Sequence, residues 1–239
     1  MHDRGFGYQP VPAAELAPQN PYGLLDEQQA RNDGYGMTSA ALAQQRLSDP
    51  NQAETSKLPA DRQEAWNTAL VGTGHDQVTL SAPGAATLQI NTDSCVYQSR
   101  NRLYGQGYDQ LNLQITGLES QVIASVLQSQ TFLAAQQRWA DCIAGHGGTA
   151  TTLQQDRAAV RDALAHAGSR PDALHATARA ELDAAKLDAT CQDTAHLAAA
   201  VQQAQADAET HLDTHWHDQA SALLTARHAA LAAATPVQG

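Results

Sequence analysis

From Asp172 through Thr235 the chain contains neither glycine nor proline. Nothing else in the sequence constrains the fold as much. Glycine ends helices and proline breaks them, so a stretch this long without either reads as helix, opened at Pro171 or Asp172. Its stripe runs Leu174, Ala178, Leu182, Ala185 and Ala189, then Leu197, Val201, Ala204, Ala208, Leu212, Trp216, Ala220 and Leu223, and thins between Gln192 and Thr194. One unbroken helix would reach roughly 95 Å at about 1.5 Å per residue, whereas a compact chain of this size has a radius of gyration near ~18 Å. Either the molecule is elongated, or the helix breaks near Asp193-Thr194 without a glycine. The expected architecture is the first. It is mainly α: an elongated antiparallel helical hairpin or coiled coil, with a small β-hairpin-containing head and an extended N-terminal arm. Composition favours helix, since 47 of the 239 residues are alanine while Phe falls to 2 and Trp to 3. A large β sandwich needs more aromatic and β-branched residues than that.

Three regions are expected. Residues 1–57 form the arm, punctuated by Pro10, Pro12, Pro18, Pro21 and Pro50 but carrying Phe6, Tyr8, Tyr22, Tyr35, Leu24 and Leu25, rings and apolar groups that would anchor it on the body. A short helix fits Thr38 to Leu47. Residues 58–107 form the head: a helix from Pro59 to Gly72, then a hairpin over 77–91 in which Val78 and Leu80, and Leu88 and Ile90, alternate about Ala82-Pro83-Gly84-Ala85. A two-stranded hairpin is marginal alone and must pack on helices. Asp93 or Ser94 caps the next helix, which stops at Gly105-Gln106-Gly107. Residues 108–235 form the long-helix domain. It holds one helix from Tyr108 past Ile143, with Gly117 loosening its start, then a helix begun at Thr151 or Thr152, then the glycine-free segment.

A net charge of −11 argues against nucleic acid as a partner, because phosphate binding needs clustered Lys and Arg. No run of eighteen apolar residues is present, so no transmembrane segment is expected. Met1 to Pro12 has no basic start and no apolar core. That fits a cytoplasmic chain, or a secreted or cell-surface one whose signal segment lies outside this sequence. Cys95, Cys142 and Cys191 are far apart and include no Cys-x-x-Cys. Two could pair in an exported chain; equally, all three could be buried thiols.

The densest chemistry-bearing cluster is His211-Leu-Asp-Thr-His215-Trp-His217-Asp218. On a continuous helix His211, His215 and Asp218 share a face and would offer three ligands to a divalent transition metal such as zinc. No glutamate follows His211 as it would in a zinc protease. No other cofactor is called for: the Gly-rich sites 105–107 and 145–148 lack the strand and Lys-Ser/Thr of a phosphate loop. Glu181, Asp183 and Asp188 sit in an alanine-rich helix and read as solvated.

Three local patterns resemble a known group. They are Cys95-Val-Tyr-Gln-Ser-Arg-Asn-Arg-Leu103-Tyr104-Gly105, Trp139-Ala-Asp-Cys142, and Glu181 through Asp188-Ala-Thr-Cys191-Gln192. With Gly34-Tyr35-Gly36, Asn51 and Ala69-Leu70-Val71-Gly72, they resemble uncharacterised actinobacterial exported or lipid-anchored proteins with Cys…Leu-Tyr-Gly, Trp-x-x-Cys and Asp-x-x-Cys markers. The resemblance spans about residues 34 to 215. This chain departs from the pattern in having Ile143 and Gly145-His146-Gly147-Gly148 where the group has a Met and an aromatic Gly-Tyr segment. The resemblance implies export and a disulfide but no reaction. Cys142 with Cys191 is the pair it favours, because a straight helix from Tyr108 would carry Cys142 roughly 50 Å along its length, away from Cys95.

Three functions compete. The first is a non-catalytic, exported binding protein for a protein, peptide or small apolar ligand held between helices. The second is a metal-binding protein using His211, His215 and Asp218. The third, an enzyme working in a pocket near His75, His146 or Tyr104, finds no motif that selects a reaction.

Overall fold

The computed structural model describes residues 1–9, 20–46 and 49–233. Pro10, Pro12, Pro18 and Leu47 of the expected arm lie outside the described residues. After a 3-10 turn at His2–Arg4 come α1 (Glu27–Asn32), α2 (Met37–Arg46), α3 (Pro50–Thr55) and α4 (Ala60–Val71). The hairpin β1 (Gln77–Leu80) and β2 (Leu88–Asn91) follows. Then come α5 (Cys95–Tyr104), α6 (Tyr108–Gln128), α7 (Gln130–Gly145), α8 (Leu153–Ala167), α9 (Pro171–Thr194), α10 (Leu197–Glu209) and α11 (Trp216–Ala233). The described chain is mainly α with one two-stranded antiparallel hairpin.

Local chemistry sets the helix starts. Ser94 accepts the Tyr97 N–H and Thr152 the Gln155 N–H, resolving both sequence alternatives in favour of the second residue. The long helix from Tyr108 is not continuous. Ser129 turns extended, takes the Phe132 N–H on its Oγ at 3.1 Å, and so ends α6 and caps α7. The glycine-free segment is not a rod either. It breaks first at Ala195-His196, where His196 takes the left-handed conformation (φ 52°, ψ 41°), and again over residues 210–215. Of the two outcomes open in the sequence, the break is the one observed, and the described residues show no coiled coil. Alanine makes the difference: small side chains let one helix approach several others, and α9 packs on α1, α2, α7, α8 and α10.

Contacts divide the described chain into two compact units, residues 1–9, 49–122 and 211–233 in one, and 20–46 and 123–210 in the other. In the first, the hairpin pairs Val78 with Ile90 and Leu80 with Leu88. Its turn lies on α6 at Gly117. A Cβ there would stand 2.2 Å from the Pro83 carbonyl oxygen, so Gly117 permits the close approach that a marginal hairpin needs. Helix α5 packs on α4 and α11, and the Arg100 guanidinium meets the buried Asp109. In the second unit, Phe132, Ala135, Trp139 and Ile143 of α7 meet α9 and α10, the latter through Leu197, Val201 and Ala204; α8 adds Leu153 and Val160 against α9. Trp139 is fully buried, as is Ala185 at the centre of α9.

No helix among the described residues is long and apolar enough to cross a membrane.

Candidate functional site

The inner face of α9 is not the apolar stripe expected. Its buried residues are Leu174, Thr177, Glu181, Ala185, Asp188, Ala189, Cys191 and Gln192. The carboxylates of Glu181 and Asp188 are therefore not solvated: they are 1% and 0% exposed. Asp183 does face solvent, near Lys186. A buried carboxylate is costly unless its oxygens are met by donors; Glu181 meets them at both oxygens and Asp188 at one.

Glu181 reaches α2. One oxygen accepts the Met37 N–H at 2.7 Å; the other accepts the Thr38 N–H at 3.0 Å and the Thr38 hydroxyl. An acid from a distant helix thus satisfies the first amides of α2 and complements the positive end of its dipole. The chain reaches this point through Gly34, whose φ is 64°. A Cβ there would come within 2.9 Å of the Glu181 side chain.

Asp188 gathers three elements. Its Oδ1 accepts the Trp139 indole N–H from α7 and the Gln192 amide from the next turn of α9, both at 2.8 Å. Its Oδ2 has no hydrogen-bond donor and lies 3.8 Å from the Arg157 guanidinium of α8. Burial outweighs these donors and holds the Asp188 carboxyl above its ordinary range. Arg157 also donates to the Gly23 carbonyl and lies over the Tyr35 ring at 5.0 Å. The Tyr35 hydroxyl donates to Asp156 at 2.6 Å. Burial first, then the charge of Asp188 and the bond to Asp156, push that hydroxyl far up, so it stays protonated.

Gln192 completes the clamp. Its carbonyl accepts the Leu25 N–H at 2.9 Å while its amide donates to the Gly23 carbonyl at 3.0 Å. Residues 23–25 are thereby pinned along α9, and an open groove of about 630 Å³ lies beside them. Leu25, Ala189 and Leu197 line it, with Asp26, Asp193 and the strained His196 at its edge. A smaller cleft of about 350 Å³ adjoins it across Leu24 and Ala198 and runs down α10 past Tyr22 to Glu209.

Cys142 and Cys191 are joined, linking α7 to α9 one turn from Asp188. Cys95 is a free thiol. A ligand nitrogen of His146 lies within 4.8 Å of both bonded sulfurs, and among the described residues this is the group gathered closely enough to hold a metal. Metals take thiolates, so the cluster is closed to them while the disulfide stands.

The continuous helix that the expected metal face assumed is not formed. His211 and His215 fall in the connection between α10 and α11, and only Asp218 is helical, in the first turn of α11. The His215 Nδ1 lies 4.0 Å from the Asp218 carboxylate, both exposed, and the three residues do not form a ligand cluster. Asp213 accounts for the break: its carboxylate takes the His215 N–H at 2.8 Å and its carbonyl the Trp216 N–H, a turn that competes with helix. Tyr104 stacks on Tyr108 and His75 is exposed.

Reading the sequence alone missed Glu181, Asp188, Gln192, Arg157 and Thr38. Positions 174, 177, 181, 185, 188 and 192 do follow one another by three or four, but acids at that spacing in an alanine-rich helix read as solvated until the neighbour they face is known. No family model, curated protein or solved structure matches the chain.

Proposed function

We propose that this chain is an exported, non-catalytic helical binding protein whose ligand lies in the groove between residues 22–29 and the α9–α10 junction. One observation carries the reading. The ionisable groups of α9 that chemistry would use turn their polar atoms inward, onto Met37, Thr38, Trp139 and Gln192, and so build a wall. The groove beside that wall is floored by leucine and alanine. Apolar floors with a few placed polar groups are what small-ligand and peptide sites have in common. The disulfide between Cys142 and Cys191 fits an oxidising compartment, in line with the export that the resemblance to the actinobacterial group implies.

Nuclear magnetic resonance titration with peptide and fragment libraries tests the reading on wild type and on Ala198→Trp, in which an indole fills the middle of the groove. Ligands that shift the resonances of Leu25, Leu197 and Ala198 in wild type, and fail to bind the variant, support it. A library that shifts no groove resonance, or a substrate turned over equally by both proteins, overturns it.

A further inference from the structure

The groove has a sign as well as a shape, and the two together narrow its occupant. Resting on the binding reading above, we propose that the groove seats a short, extended basic peptide, with apolar side chains between its positive charges.

Charge comes first. Asp26, Glu27 and Asp193 edge the larger cavity and Glu209 the far end of the smaller one, while neither is lined by a lysine or an arginine. Glu27 is met by Arg31 at 2.5 Å. Among the described residues no ion pair is formed by Asp26, Asp193 or Glu209. The last turn of α9 brings its negative end here, carries Asp193 and holds no basic residue, while the first turns of α1 and α10 line the same groove with their positive ends, so its sign comes from the side chains. Arg138 of α7 approaches from outside the groove and donates to the Ala195 carbonyl at 2.9 Å. His196 is the groove's one other titratable side chain of basic type, exposed at the helix break.

Shape decides between a compact cation and a strand of peptide. The two cavities share Leu24 and Ala198 and follow α10, whose 13 residues run from Leu197 to Glu209. At about 1.5 Å per residue that is roughly 20 Å, which an extended peptide covers in about six residues. Acids stand at both ends of this length, Asp193 at one and Glu209 at the other. Between them the floor is apolar: Leu25, Ala189, Leu197 and Val201 are buried beneath it. A small single-charged molecule would use one end only.

The groove is also set before anything enters. Gln192 fixes its wall at Gly23 and Leu25. His196, the one non-glycine residue with positive φ among those described, fixes the angle at which α10 leaves α9. A strained backbone residue at a ligand edge is where such strain is usually found, and a pre-set groove lowers the ordering cost of binding.

The test uses the full chain and three capped hexapeptides labelled for fluorescence anisotropy, KLALAK, QLALAQ and ELALAE. The expected order of affinity is KLALAK over QLALAQ by about fivefold, with ELALAE weakest, and the gap closing as salt rises. The double variant Asp193→Asn/Glu209→Gln loses that about fivefold advantage and leaves QLALAQ unchanged. Equal affinity for all three peptides would overturn the proposal, as would KLALAK binding that survives Ala198→Trp. So would failure of every peptide alongside binding of tetrapropylammonium, a compact cation. Those outcomes leave the binding reading standing, because that reading fails on different results: no ligand of any charge in the groove, or a substrate turned over equally by wild type and Ala198→Trp.

Discussion

Helices α9 and α11 are close in composition, both rich in alanine and free of glycine after their first residue, and they end up in different circumstances. Helix α9 buries eight residues, four of them polar (Thr177, Glu181, Asp188 and Gln192). Helix α11 buries Leu223 and Ala230, and leaves Leu224 53% and Leu231 73% exposed. Alanine and periodicity make a helix in each case; they do not decide how firmly it is held. That is decided in α9 by buried polar groups whose partners come from residues 23–38 and from Trp139, and by the bond from Cys142 to Cys191.

The contrast can be broken most severely at the disulfide. A crosslink spanning 49 residues constrains the unfolded chain by about 4 kcal/mol. Reduction or Cys142→Ser/Cys191→Ser should lower the urea midpoint of the unit containing α9 accordingly, with amide exchange in α11 unchanged. Next comes Glu181→Ala, which strips the Met37 and Thr38 amides of their acceptor and should cost about 3 kcal/mol in chemical denaturation; Glu181→Gln keeps an acceptor and should cost less. In the other unit the vulnerable point is steric. Gly117→Ala drives a methyl into the Pro83 carbonyl and should cost about 2 kcal/mol, read as loss of hairpin protection with α9 untouched.

The smallest effect is a difference in sign. Hydrogen bonds from the Thr73 hydroxyl and amide hold Asp93 below the ordinary carboxylate value of 3.8, whereas burial holds Asp188 above it. A lowered acid lends stability above pH 3.8 that is lost as pH falls through its folded value. A raised acid does the opposite: the unit is more stable with Asp188 protonated, and stability declines as pH rises from 3.8 through the folded value. Residue-resolved unfolding between pH 3 and 6 should show Asp93→Asn flattening the acid loss in its unit, and Asp188→Asn flattening the decline toward neutral pH in the other.

How much of this was legible depended on distance along the chain. The hairpin, the stops at Gly72 and Gly105, and the caps, each narrowed to two adjacent residues, are local, and sequence chemistry reached them. The Cys142–Cys191 pair was reached through the resemblance, whose quoted strings also contain Trp139, Glu181, Asp188, Gln192 and Tyr35. Trp139, Asp188 and Gln192 prove to be one buried network, to which the half-buried Tyr35 is joined through Arg157, and Glu181 is buried apart from it on Met37 and Thr38. Their burial was illegible because each partner lies far off in sequence: Glu181 is 144 residues from Met37, and Gln192 is 167 from Leu25. Helical periodicity ranks such acids as solvent-facing until the neighbour is known. The break at Ser129 was missed, and the one at His196 was raised near Asp193-Thr194 but not preferred, for a related reason. Neither site carries a glycine or a proline, and the Ser129 cap and the left-handed His196 are held by the helices on either side.

The central claim is that the polar face of α9 clamps the segment beginning near Tyr22 and so builds the groove wall. Amide hydrogen exchange at Leu25, compared between wild type and Gln192→Ala, tests it most directly. The expected result is a slow Leu25 amide in wild type that becomes fast in the variant while the amides of α11 do not change. A Leu25 amide that already exchanges freely in wild type, or that stays equally protected without the Gln192 carbonyl, would contradict it.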